Sequence, residues 1–271
     1  YMHYTAKGDF DKAAQVIKAT NPFPLTTGMV CDHLCQTKCT RINYDSPLLI
    51  REIKRFIAEN AKKNGGGLQE KIGVTNKKAA IVGAGPAGLS CAYYLAIAGV
   101  EVNVYESKEQ AGGMASGAIP SFRLTDEAIG YDMQSIINVG VKVHFNHPVK
   151  KQEFEKLQST NDALFIGAGA QVSKVLNIEG IEANGVLDPL DFLFKVKENK
   201  PSGIGKNVII IGGGNTAMDA ARTAYRMVGK NGKVTIVYRR TIKQMPADLG
   251  EIKAVLEEGV EIVQLAAPLK I

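Results

Sequence analysis

KAAIVGAGPAGLSCAYYLAIAGVEVNVYE, residues Lys78 to Glu106, reads as strand, tight glycine turn, helix, strand and acidic end. Ala79 to Val82 form the short apolar run expected of a strand buried on both faces. Gly83, Gly85 and Gly88 then give G-x-G-x-x-G. The first glycine permits the turn, the second lets a pyrophosphate approach the backbone, and the third lets the helix pack close to the strand. Pro86 and Ala87 open the helix, whose N-terminal N–H groups and dipole favour an anion. Gly99 ends it, Val100 to Tyr105 make the next strand, and Glu106 stands where a carboxylate binds a ribose hydroxyl pair. The stretch predicts a dinucleotide site.

The pattern returns further along. Asn207 to Ile211 is an apolar strand, Gly212-Gly213-Gly214-Asn215-Thr216-Ala217 gives G-x-G-x-x-A, and a helix runs on through Ala220 to Val228 until Gly229. The second strand, Val234 to Tyr238, ends in Arg239-Arg240 and carries no acid. A carboxylate repels a 2′-phosphate, whereas an arginine pairs with one bidentately. The first site therefore suits a dinucleotide with a free ribose, such as FAD, and the second suits NADPH. Between them, Gly112-Gly113 marks another close backbone approach, Glu127 to Val139 reads as a helix, Val141 to Phe145 as a strand, and Asp162 to Ile166 as a strand ending in Gly167-Ala168-Gly169-Ala170.

Ahead of this core, Asp9 to Thr20 is an amphipathic helix capped by Asp9, with Ala13, Val16 and Ile17 as its stripe. Asn21 to Thr27, with two prolines, is expected to break it. Ser46 and Pro47 are expected to start a further helix carrying Leu49, Ile50, Ile53, Phe56 and Ile57. Between these helices lie Cys31, Cys35 and Cys39, spaced C-x3-C-x3-C, which is wrong for a disulfide framework and suggests metal or iron–sulfur ligation in a reducing compartment. Cys91 reads as a core residue. The organisation expected is a helical domain over 1–65, a linker from Asn64 to Asn76, an FAD-binding Rossmann-like domain over 76–200, a linker from Pro201 to Gly205, and an NAD(P)-binding Rossmann-like domain over 204–271. The fold class is α/β, with two Rossmann-like domains after a small α-helical cysteine-bearing one.

Bulk properties narrow the classes. The 271 residues are 45% hydrophobic and 22% charged, ordinary for a globular protein. The net charge of +6 is spread along the chain, so no nucleic-acid partner is expected. No apolar run approaches the roughly 18 residues of a membrane span, so no membrane partner is expected and the location expected is cytoplasmic. The histidines His3, His33, His144 and His147 have no catalytic or metal spacing.

The chain resembles the small (beta) subunit of NADPH-dependent glutamate synthase and its relatives, including the N-terminal half of dihydropyrimidine dehydrogenase. The segments that carry this are GMVCDHLCQTKC, PLLIREIKRF, GAGPAG, AGGM with GAIPSFRL, and GGGNTAMDAARTA followed by YRR and MPAD. The resemblance implies hydride transfer from NADPH to FAD, then electron release through [4Fe–4S] clusters to an electron-accepting subunit or domain. It puts Gly83, Gly85, Gly88, Glu106 and Gly113 on the FAD side, and Gly212, Gly214, Asn215, Thr216, Arg239 and Arg240 on the NADPH side; Pro86, Ala87, Gly112, Met114, Arg123 and Gly169 are further candidates for cofactor binding. No general acid, base or nucleophile is implied, because the flavin carries the chemistry.

The sequence departs from that family in two ways. Lys54 stands where the family commonly has Glu or Gln as a fourth ligand, so Cys31, Cys35 and Cys39 are expected to be an incomplete cluster site. The family chain returns to finish the flavin domain; this sequence starts without Met and reaches Ile271 before that return, so a piece of a longer protein with weak FAD retention is expected. The competing expectation is a non-catalytic docking module of a larger redox complex. A disulfide reductase needs a C-x-x-C or C-x4-C pair near the flavin, and neither is present.

Overall fold

A computed structural model of the chain describes residues 1–65, 73–173 and 176–271. Gly66, Gly67 and residues 68–72 of the expected linker lie outside the described residues. Two compact units form, Tyr1–Ser116 with Ser121–Gly169, and Gly117–Pro120 with Ala170–Ile271.

The first unit opens with helices α1 (Met2–Ala6), α2 (Phe10–Thr20), α3 (Pro24–Val30) and α4 (Ile50–Lys63). Asp9 caps α2 by accepting the Lys12 N–H at 3.1 Å. Ala13, Ala14 and Ile17 pack with Ile57 and Ala61 of α4, while Val16 is exposed and Lys18 is buried. The break after α2 is shorter than its two prolines suggest. Pro24 occupies the first turn of α3, where its missing N–H costs nothing, so only Asn21 to Phe23 are non-helical. Ser46 and Pro47 do not start α4. Asp45 takes the Ser46 N–H at 2.6 Å while holding Arg41, and the Gln36 side chain takes the Arg51 N–H at 3.2 Å in the first turn of α4 instead. Leu49 and Phe56 consequently face solvent, and Ile57, Ala58 and Ala61 are the buried face.

The same unit continues with β1 (Lys78–Val82), α5 (Pro86–Ile97), β2 (Glu101–Tyr105), α6 (Gly113–Gly117), α7 (Asp126–Asn138), β3 (Lys142–His144), α8 (Lys151–Thr160) and β4 (Ala163–Ile166). The sheet order is β3-β2-β1-β4, all parallel. Ala80 of β1 lies opposite Asn103 on one side and Leu164 on the other. Its core gathers Ile81, Leu89, Ala92, Val102, Val104 and Ile136, with Cys91 against it. Helix α8 escapes a reading by periodicity because Leu157 alone is buried in it.

The second unit carries α9 (Pro189–Lys197), β5 (Asn207–Ile211), α10 (Asn215–Val228), β6 (Lys233–Tyr238), α11 (Leu249–Glu257) and β7 (Glu261–Gln264). Its strands are parallel in the order β5-β6-β7. Asp188 and Asp248 cap α9 and α11 through their side chains.

Candidate functional site

In the first unit the three glycines of the β1–α5 turn do separate jobs. Gly83 has φ +99°, and a Cβ there would sit 2.5 Å from the Gly167 carbonyl oxygen. A Cβ on Gly88 would lie 1.9 Å from the Gly83 oxygen and 3.2 Å from Ile81 Cγ2, so α5 can approach β1 only through glycine. Gly85 is different. Its φ of −74° suits any residue, and a Cβ would meet nothing nearer than Gly113 Cα at 3.9 Å. Neither fold nor strain asks for glycine at that position. The space lies at the N-terminus of α5, with Pro86 in its first turn and Ala87 and Gly88 following, and no side chain caps it. An open, uncapped helix N-terminus of this kind can cradle an anion such as a phosphate group.

Glu106 is buried at the end of β2, its Oε2 accepting the Ala84 N–H at 2.8 Å and its Oε1 the Lys108 N–H at 2.9 Å. The carboxylate is thus held beside the glycine turn. Gly112 donates its N–H to the Ala84 oxygen at 2.8 Å, and Gly113, at φ +53°, comes close enough that its Cβ would be 3.0 Å from Gly85 Cα. Met114 follows in α6, half-buried. Gly169, at φ +72°, follows β4. Arg123 is half-buried beside Leu124 in the segment leading to α7.

The second unit repeats the plan with different chemistry. Gly212 has φ +140°, and a Cβ on Gly213 would lie 2.7 Å from the Tyr238 ring. Gly214, the N-cap of α10, has nothing within 4 Å of its Cβ position and an ordinary φ of −91°. It leaves a second cradle, at the first turn of α10 where Thr216 follows Asn215. The side chain of Asn215 serves the protein itself, accepting the Asp248 N–H at 2.8 Å, and Ala247 donates to the Gly213 oxygen at 3.1 Å. The MPAD segment is therefore strapped across the glycine turn, a contact that two separate motifs do not announce in sequence. Arg239 and Arg240, at the end of β6, are exposed and their side chains make no hydrogen bond or ion pair among the described residues.

Cys31 and Cys39 are half-buried and Cys35 is exposed. Among the described residues no group of three or more His, Cys, Asp or Glu is arranged to hold a metal ion. Cys31 and Cys35 lie near Tyr1, whose hydroxyl is raised above the ordinary tyrosine value by burial and then by Cys35 and Cys31. Burial also pushes the Cys91 thiol up, as suits a core residue. Among the described residues no helix is long and apolar enough to cross a membrane.

The chain is 36% identical to the NADPH-Fe(3+) oxidoreductase subunit beta of Geobacter sulfurreducens, the alignment covering 100% of this chain and 41% of that one. It is 34% identical to the glutamate synthase [NADPH] small chain of Escherichia coli K12, covering 100% of this chain and 60% of that one. It thus spans less than two thirds of either relative. Among solved structures, Mycobacterium tuberculosis FprA in complex with NADPH superposes with a TM-score of 0.60 at 21% identity, covering 68% of this chain and 48% of that one, a likeness of fold. Residues 1–66 match the family described as dihydropyrimidine dehydrogenase domain II, 4Fe-4S cluster. Residues 77–271, both glycine turns included, match the family of pyridine nucleotide-disulphide oxidoreductases, and the chain belongs to that family.

Proposed function

We propose that this chain is the FAD- and NADPH-binding part of a flavoprotein oxidoreductase related to the glutamate synthase small chain, taking hydride from NADPH and passing electrons onward to a partner subunit or domain. The observation that carries the reading is the pair of cradles with opposite charge beside them: Glu106 at the first, Arg239 and Arg240 at the second. In this reading the α5 N-terminus and Gly85 hold the pyrophosphate of FAD, Glu106 its ribose, and Gly112, Gly113, Met114, Arg123 and Gly169 line the approach. Gly212, Gly214 and Thr216 hold the pyrophosphate of NADPH, Asn215 shapes that turn through Asp248, and Arg239 and Arg240 hold the 2′-phosphate. When bound, the flavin supplies a two-electron acceptor that releases electrons singly. The domains proposed are 1–65, 76–200 and 204–271, and the location cytoplasmic.

The names of the relatives support a subunit that works with a partner, and the match over 1–66 supports an iron–sulfur role for that segment in the whole protein. The test is anaerobic addition of NADPH to FAD-reconstituted protein. The flavin absorbance should bleach with NADPH and far less with NADH at equal concentration. Protein that binds FAD but stays yellow under NADPH belongs instead to a docking module without hydride transfer.

A further inference from the structure

Asp132 lies on α7, within the dinucleotide-binding part of the first unit, and is completely buried. Its Oδ2 accepts the Thr26 N–H at 2.8 Å and its Oδ1 faces the Leu25 N–H at 3.4 Å. These are donors of the first turn of α3, which has no side-chain cap of its own. The other end of α3 runs directly into Cys31, whose N–H bonds the Thr27 oxygen at 3.2 Å. The helix cannot easily slide, because a Cβ on Gly28 would already be 2.9 Å from Arg55 Cα on α4. One carboxylate therefore joins the start of the cysteine-bearing segment to a helix of the dinucleotide core.

The surroundings of Asp132 are unusual for an ionised group. From α2 it faces Lys18, itself 5% exposed, whose Nζ lies 5.8 Å from the Tyr131 ring centre. Lys62 of α4 approaches the same ring at 5.6 Å and pairs with Glu127. From α3, the Thr26 hydroxyl is buried beside the carboxylate without a well-formed hydrogen bond of its own. Burial raises the Asp132 carboxyl to about 6, outweighing the Thr26 and Leu25 donors and the Lys18 charge that lower it.

We propose that Asp132 is a positioning residue that holds the cysteine-bearing segment to the dinucleotide core through α3, and that the hold slackens as Asp132 loses its proton. A carboxyl that titrates higher when buried than when free binds its proton more tightly in the held state. The hold is therefore strongest in acid, weakens as pH rises from the ordinary aspartate value of 3.8 to about 6, and levels off above that. Burial lowers Lys18 from the ordinary lysine value, and that shift acts at alkaline pH with the opposite sign. The device works whatever the cysteines ligate.

Amide hydrogen exchange of the whole chain, corrected for intrinsic rates, reads this directly. In wild type, protection of the peptide spanning Leu25 to Cys31 should fall roughly tenfold between pH 5 and 7.5, while peptides from α10 stay level. Asp132→Asn keeps an acceptor and the shape but cannot ionise, so its protection should be flat over that range. Asp132→Ala should lose roughly tenfold or more of protection in that peptide at pH 7.5, with α10 unaffected. A pH slope that persists in Asp132→Asn, or unchanged protection in Asp132→Ala, overturns the proposal. Should Asp132→Ala fail to fold, the slope in Asp132→Asn still decides.

Discussion

Gly85 and Gly88 are one residue type used for opposite reasons. Gly88 is required by the protein, since its Cβ would strike the Gly83 carbonyl at 1.9 Å, whereas Gly85 leaves room that the protein does not fill. Gly88→Ala should lose about 3 kcal/mol or more of stability by overpacking against backbone. Gly85→Ala should melt within about 1 kcal/mol of wild type yet weaken FAD at least tenfold, because its methyl occupies the cradle. Thermal melts and FAD titrations of both variants check this, and equal melting with equal FAD affinity for Gly85→Ala would show that the space at Gly85 does not hold the cofactor. Arg240→Ala and Arg239→Ala concern charge. Loss of a charge-assisted phosphate contact should cost about 1.5–3 kcal/mol, roughly ten- to a hundredfold, for NADPH and little for NADH. Titrating both nucleotides against each variant decides; equal weakening would show that the phosphate is read elsewhere.

At the scale of elements, α10 is held to α11 and its end by a clamp. Arg222, whose side chain is 12% exposed, bonds Glu251 at 2.6 Å and Glu258 at 2.7 Å, and Arg226 also reaches Glu258 at 2.7 Å. Burial alone would raise Glu258; the hydrogen bonds from Arg226 and Arg222 more than reverse this and bring it to about 2. A depressed carboxylate contributes stability that is present above the ordinary glutamate value of 4.5 and is lost as pH falls towards 2. Arg222→Ala removes the shared cation from two partly buried carboxylates, leaving Glu258 to Arg226, and should cost about 3 kcal/mol at pH 7. Denaturant unfolding from pH 7 to 3 should show the wild-type stability falling towards the mutant's. Parallel curves would mean that the clamp contributes nothing to the acid sensitivity.

At the scale of the molecule, each glycine turn lies inside its own compact unit, so each nucleotide should protect its own. A ligand at a hundred times its dissociation constant stabilises the state it binds by about 2.7 kcal/mol. Hydrogen exchange with FAD alone should slow the β1–α5–β2 peptides, and with NADPH alone the β5–α10–β6 peptides. Protection appearing at the other turn in either case would contradict the assignment of cofactors to Glu106 and to Arg239 with Arg240.

The two turns, their strands and helices, and the opposite charges beside them were legible in the sequence. Each is encoded within a few consecutive residues: a positive φ or a close approach needs glycine locally, and the charge ending a strand is read where it stands. In the helices ahead of them the ends moved. Asp45 and Gln36 outcompete Ser46 in deciding where α4 begins, and Pro24 opens α3 where a break was expected. Asp132 beneath α3, 106 residues from Thr26, the MPAD strap on Asn215 and the Arg222 clamp were not legible at all. A buried carboxylate or amide looks like any other in sequence. Its partner is chosen among many equivalent donors only when packing brings two distant elements together and excludes the water that would otherwise serve.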